Sequence, residues 1–301
     1  MLTIILTVVI VLIYWIFHTG AKSKLIKLPP GPIGLPILGY LPFLGETPAL
    51  KITELSRKYG DLFSIRLGQQ LVLFVNDVET MKDMGRIDNF LGRNQLEVIK
   101  NHREKCGLIF LEKQGWAEWR KFTIKTLKEV GFGQLALESR IIDEVQDFRS
   151  FLRKNLNKPL YLQESIEIAA LNSLWVILTG EKYDLEDPEK KEILKTITDG
   201  VSDQSIMGIV VFLPWLGKLF PEMTGWNKAL KCLDGPVQMV KSIIEKHEKK
   251  YSKGYESDFI DLVLTKIYTT TDPQSYFYKD LGYKNLLYTI LDLFFTGSDT
   301  V

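Results

Sequence analysis

The sequence predicts a mainly α protein with a small β-sheet, carried behind an N-terminal transmembrane anchor. Three observations lead there. Apolar residues recur at helical spacing through most of the chain. Only Leu62–Leu67 and Leu71–Val75 read as paired strands, joined by a short Gly68-Gln69-Gln70 turn. Met1 to Phe17 is almost unbroken Leu, Ile and Val. The 301 residues, 46% hydrophobic and 25% charged, suffice for a large core. A net charge of +1 gives no argument for nucleic-acid binding, and no nucleic-acid partner is expected. Cys106 and Cys232 make no disulfide framework, and the three scattered histidines make no metal constellation.

The apolar start is about the shortest helix that crosses a hydrocarbon core. Tyr14 and Trp15 suit the interfacial aromatic belt, and Lys22, Lys24 and Lys27 follow, which by the positive-inside rule puts the body in the cytoplasm. A cleaved signal peptide is the alternative, but its basic n-region is missing and Thr19-Gly20-Ala21 is a poor cleavage site. Residues 1–20 are therefore expected to be a single-pass anchor. Residues 21–48 contain Leu28-Pro29-Pro30-Gly31-Pro32, where fixed φ angles and missing N–H groups predict a stiff, extended hinge.

The body is expected over residues 49–301. Ala49 to Tyr59, with Leu50, Leu55 and Tyr59, reads as a helix closed by Gly60. After the hairpin, Asn76 or Asp77 caps a short helix with Val78, Met81 and Met84. Asn94 to Lys105 is polar and reads as a long surface loop with some helix. From Gly115 a helix carries Trp116 and Arg120 four residues apart, hence on one face. An indole N–H beside a guanidinium fork suits a carboxylate or phosphate in a partly buried pocket. A cation–π pair on a surface helix fits the same spacing. Further helices are expected at Ile141–Leu156, Ser165–Leu178, Asp187–Thr198, Asn227–Lys250 and after Asp258. Phe212 to Pro221 reads as an apolar, Pro-punctuated loop, either dipping into a membrane surface, covering a pocket or buried between helices.

Leu281 to Val301 is apolar nearly all round, so it belongs in the middle of a fold or in a membrane. Gly297, Asp299 and Thr300 break that pattern within one turn. Helical glycine and a buried carboxylate both cost stability, so the turn reads as a site or as a capped helix end.

The anchor, Pro29-Pro30-Gly31-Pro32, Trp116-x-x-x-Arg120 and Gly297-Ser298-Asp299-Thr300, in that order, resemble a membrane-bound microsomal cytochrome P450 of the animal family-2 type. Tyr59–Ser64, Phe90–Arg93 and Asp258–Asp261 are similar to family segments too, so the resemblance covers essentially the whole chain. It implies a cytochrome P450-like fold, truncated in the central helix, with residues 49–301 a partial catalytic domain. It implies haem, iron protoporphyrin IX, with Trp116, Arg120 and Arg93 at its propionates. Gly297, Asp299 and Thr300 are implied in oxygen activation: the glycine relaxes the helix, and acid and alcohol relay protons. Phe110, Phe295 and Thr296 are implied to line the substrate cavity. The implied activity inserts one oxygen atom from O2 into a lipophilic substrate such as a steroid, fatty acid or xenobiotic. Electrons would come from NADPH via a reductase, at the cytoplasmic face of the endoplasmic reticulum membrane.

The chain departs from the family pattern at Thr296, where Ala or Gly is usual, at Val301, where a second Thr or Ser is usual, and at Lys113, where Gly is usual. The family's thiolate ligand belongs to a Phe-x-x-Gly-type loop far downstream of Val301, so no metal ligand is assigned in this sequence. Without thiolate push the iron cannot cleave O–O bonds, so the polypeptide as it stands is expected to bind haem poorly and to be inactive. The alternative function is that of a membrane-anchored, non-catalytic helical protein binding lipophilic ligands or partners.

Overall fold

The computed structural model describes Thr7 and residues 28–98, 100, 103–159, 162–182, 210–252 and 254–299. Apart from Thr7, the expected anchor lies outside the described residues, as do the helix expected at 187–198 and the pair Thr300 and Val301. Among the described residues no helix is long and apolar enough to cross a membrane. The chain divides into two compact units: Met1–Phe90 with Gly208–Thr224, and Leu91–Met207 with Gly225–Val301.

In the first unit, β1 (Leu62–Leu67) pairs antiparallel with β2 (Gln70–Val75), register Leu62↔Val75 to Leu67↔Gln70. Alternation turns Phe63, Ile65 and Leu67 inward against Leu55 of α1 (Pro48–Tyr59). Leu50 is 64% exposed, contrary to its expected place beside Leu55. Residues five apart lie about 140° apart around a helix. Ile52 and Tyr59 complete the buried face instead. Gly60 ends α1 at φ +94°, a conformation that favours glycine. Asp77, rather than Asn76, caps α2 (Val78–Met84), accepting the Thr80 N–H at 2.7 Å.

From Pro29 the proline-rich segment is bonded to β1. Ser64 donates its N–H to the Pro30 carbonyl (2.9 Å) and its hydroxyl to that of Pro29 (2.8 Å). The stretch expected to be a loop at 212–221 contains a short helix, α7 (Pro214–Leu219). Proline at its first position presets φ and gives up an N–H that the helix would leave unpaired anyway. Around it Trp215, Leu219, Phe220 and Met223 are exposed.

The second unit is built around α10 (Lys279–Asp299), which packs against α3 (Gly107–Phe110), α6 (Leu162–Thr179), α8 (Trp226–Lys250) and α9 (Phe259–Thr269). Leu286, Ile290, Leu291 and Phe294 are buried in it, as a helix apolar all round requires. Phe294 meets Trp175 of α6 edge-on at 5.2 Å. Trp119 of α4 (Lys113–Glu129) stacks on Phe277 at 4.6 Å and donates its indole N–H to Thr289 of α10 at 2.6 Å. Helix α5 (Leu135–Lys154) lies against α6. Helix α10 continues past Gly297 to Asp299, so that glycine is no helix cap.

Asp258 joins α8 to α9. One carboxylate oxygen caps α9 through the Asp261 N–H (3.0 Å), and the other meets His247 Nε2 at 2.9 Å. His247 Nδ1 lies 2.8 Å from the Ile243 carbonyl. Burial pushes the imidazolium down, but the Asp258 carboxylate and the Ile243 carbonyl outweigh it and lift its pKa from 6.5 to about 9. A raised histidine pKa stabilises the fold fully below its unfolded value, and that contribution is lost as pH rises through about 9. The contribution is on the order of 3 kcal/mol at most. Urea unfolding from pH 6 to 10 is expected to show this decline in the wild type and a flatter profile in His247→Gln. Parallel profiles would contradict it.

Candidate functional site

At the middle of α10 stands Asp292, a carboxylate only 2% exposed among apolar neighbours. Arg103, 8% exposed, meets it with both prongs: Nη1 to Oδ1 at 2.6 Å, an ionic contact, and an Nη2 hydrogen bond to Oδ2 at 2.7 Å. Arg103 also donates from Nε and Nη2 to the Cys106 carbonyl, at 3.1 and 2.8 Å. Its guanidinium carbon lies 4.6 Å from the Phe110 ring centre and 5.0 Å from that of Tyr288. Asp292 Oδ2 further accepts the Ile109 N–H at 3.0 Å. Burial pushes the Asp292 carboxyl above the usual carboxylate range, against the pull of Arg103 and the backbone amides. The segment expected to be a surface loop at 94–105 thus sends one cation into the core. A buried carboxylate left without a cation costs several kcal/mol, so the core recruits Arg103 from that segment.

Gly107 makes the approach possible. It sits at φ +74°, and a Cβ there would lie 2.6 Å from Arg103 Nη2, 2.7 Å from Asp292 Oδ2 and 2.9 Å from the Tyr288 carbonyl carbon. Its N–H is taken by Asn285 Oδ1 at 3.1 Å, one more bond between α3 and α10.

Phe110, Phe295 and Thr296, expected to line a cavity, lie around this network. Phe110 is half-buried beneath Arg103, and Phe295 is half-buried beside Phe294. Thr296 is exposed, and its hydroxyl donates to the Asp292 carbonyl at 2.6 Å, one turn back. A Cβ on Gly297 would come within 3.3 Å of Leu174 on α6, so the glycine keeps that approach open. Asp299 belongs to the last turn of α10, while its side chain, and Thr300 entirely, fall outside the described residues.

Trp116 and Arg120 share one face of α4, with the guanidinium 5.2 Å from the indole centre. Both are exposed, the geometry of the surface cation–π pair that the spacing also allowed, and the Trp116 N–H is taken by the Leu108 carbonyl at 3.1 Å. The start of α4 runs beside α3, which brings that carbonyl within reach. Arg93 is exposed, and its backbone N–H donates to Glu112 at 2.8 Å. Among the described residues no hydrogen bond or ion pair joins its side chain to Trp116 or Arg120. Arg103, Gly107, Asn285 and Asp292 went unassigned in the sequence reading. The available signal was Asp292, a lone carboxylate inside an apolar run, which demands a cation without saying which.

His247, Asp258 and Asp261 also gather within 4.8 Å, beside a cavity of about 330 Å³, and all are engaged in the α8–α9 joint.

The family model for cytochrome P450 matches residues 29–301, and the chain belongs to that family. Among curated relatives, Cytochrome P450 2B2 of Rattus norvegicus is 30% identical over 280 residues, 91% of this chain and 56% of the relative. Cytochrome P450 18a1 of Drosophila melanogaster is 26% identical over 306 residues, 98% of this chain and 56% of the relative. Farnesoate epoxidase of Bombyx mori is 28% identical over 304 residues, 98% of this chain and 60% of the relative. The chain therefore spans well under two thirds of the length of the curated relatives it matches.

Proteins of this family bind haem and take electrons from NADPH via a reductase. The described residues fit the propionate side of that group. Arg120 is exposed and, among the described residues, has no carboxylate partner, and the Trp116 indole beside it is exposed as well. Cys106 does not fit the iron: it is buried in the core, and burial pushes its thiol up, away from the thiolate that a metal needs.

Gly107→Ala is expected to cost roughly 2–4 kcal/mol, from the left-handed φ and the clash with the ion pair. Urea denaturation checks this, and an unchanged midpoint would show that the Arg103–Asp292 contact has room to move.

Proposed function

We propose that the whole protein is a microsomal haem-thiolate monooxygenase, inserting one oxygen atom from O2 into a lipophilic small molecule with electrons from NADPH through a reductase. The observation that carries this reading is the exposed Trp116–Arg120 face of α4, within a chain that matches the family over residues 29–301. A guanidinium that has no carboxylate partner among the described residues, next to an indole, offers a two-pronged seat for a carboxylate of the cofactor. Arg93 is the further arginine assigned to the propionates.

Haem, when bound, supplies the redox-active iron at which O2 is activated. The chain's own residues bind, orient and move protons. Phe110, Phe295 and Thr296 line the lipophilic cavity, and the Thr296 hydroxyl is held by the Asp292 carbonyl rather than offered to substrate. Gly297 relaxes the last turns of α10. The Asp299 carboxyl and the Thr300 hydroxyl hold and pass the protons that oxygen reduction consumes. The name of the silkworm relative, Farnesoate epoxidase, supports a lipophilic substrate class.

Residues 1–20 anchor the protein in the endoplasmic reticulum membrane, residues 21–48 form the hinge, and the body lies on the cytoplasmic side. The exposed Trp215, Leu219, Phe220 and Met223 support contact with the membrane surface.

Supplied with haem, reduced and exposed to CO, the 301-residue chain is expected to give no thiolate–CO Soret band, since its cysteines are Cys106 and Cys232 alone. A band at that position would overturn the proposal that the ligand lies outside this sequence. A longer product of the same gene, carrying a downstream cysteine loop, is expected to give the band and NADPH-dependent oxygenation of a lipophilic substrate. A longer product giving neither would overturn the monooxygenase reading.

A further inference from the structure

Two hydroxyl residues in the sequence follow a pair of adjacent cations with one residue between: Thr123 in Arg120-Lys121-Phe122-Thr123, and Ser252 in Lys249-Lys250-Tyr251-Ser252. Cations three and two positions before an acceptor hydroxyl are the charge pattern that basophilic protein kinases read through acidic subsites. The fold separates the two. Thr123 is 1% exposed in the middle of α4, so a kinase reaches it only by unfolding that helix. Ser252 is exposed, and so are Lys249 and Lys250 in the last turn of α8, where helices fray. Between Lys250 and α9 the described residues carry no helix or strand, and among them no hydrogen bond engages the Ser252 hydroxyl. Tyr255 donates its N–H to the Ser252 carbonyl at 3.2 Å, and Gly254, at φ +92°, donates to Glu256 at 3.1 Å. Both bonds lie at the surface, so opening this connector costs little next to opening α4.

We propose that Ser252 is a phosphorylation site for a basophilic Ser/Thr protein kinase, with ATP as the phosphoryl donor. The Ser252 Oγ attacks the γ-phosphorus of ATP. A new O–P bond forms, the bond from that phosphorus to the bridging oxygen of ADP breaks, and the kinase's catalytic carboxylate takes the hydroxyl proton. The product carries about two negative charges. Ser252 lines a cavity of about 330 Å³ together with Lys246, His247 and Lys250. The acids of that cavity are already engaged: Asp258 with His247, Asp261 with Ser257, and Glu181 at 3.9 Å from Lys246. Among the described residues the Lys250 ammonium has no anion partner, so it is the cation left for the phosphate. This inference rests on the geometry of the α8–α9 connector and not on the monooxygenase reading.

Labelling of the full chain tests it. The chain is incubated with a basophilic Ser/Thr kinase of the cyclic-nucleotide-dependent class, magnesium and radiolabelled ATP, and the labelled residue is mapped by mass spectrometry. Label is expected on Ser252, with Thr123 labelled at least about tenfold more slowly because α4 must open first. Ser252→Ala is expected to lose that label. Lys249→Gln/Lys250→Gln is expected to slow the labelling of Ser252 on the order of a hundredfold, since the kinase loses the charges it reads. All three side chains are exposed, so these variants are expected to keep the urea midpoint of the wild type. Label on Thr123 in place of Ser252, label that survives Ser252→Ala, an equal rate without the two lysines, or no label at all overturns the proposal.

Discussion

A carboxylate that is almost wholly withdrawn from water must be paired or protonated, and in this chain that requirement falls at Asp292, in the buried helix α10. Arg103 meets it with both prongs, two ring faces and a shared carbonyl. Isolated ionic contacts at protein surfaces contribute little, but a buried pair is costly to break because the survivor is left charged and dry. The arrangement dictates its neighbours. Gly107 must lack a side chain, the Ile109 amide must point at Oδ2, and Arg103 must turn inward although Glu104 and Lys105 beside it are exposed.

The same helix shows how a nearly featureless apolar element is held in register. Asn285, Thr289, Asp292 and Thr296 recur at spacings of four, three and four, so they share one face. Asn285 holds Gly107, Thr289 holds Trp119, and Asp292 holds Arg103 and Ile109, while Thr296 turns back on its own helix. Apolar burial places α10 in the centre, and directional polar bonds stop it sliding or rotating there. Because Trp119 sits on α4 between Trp116 and Arg120, the Trp119–Thr289 bond also fixes where the proposed propionate seat stands relative to the central helix.

What was legible in the sequence was local or periodic. The hairpin, the helix starts at Asn76 or Asp77 and at Asp258, the glycine after α1 and the buried central helix all follow from neighbours a few residues apart. The family motifs were legible because their order survives along the chain. Arg103 was not, since its partner is 189 positions away and nothing in a polar stretch marks which cation turns inward. Leu50 looked like core because leucine is apolar, although its angle on the helix carries it outward. The Trp116–Arg120 spacing gave a shared face but not its depth, which depends on how α3 passes the start of α4.

The claim that Arg103 and Asp292 act as one unit is tested most directly by a double-mutant cycle on urea unfolding, with Arg103→Met, Asp292→Leu and both together. Each single change strands a buried charge or leaves an empty counter-site, and is expected to cost roughly 3–5 kcal/mol, while the double change costs far less than the sum. Additive losses, with no coupling between the two positions, would contradict the account.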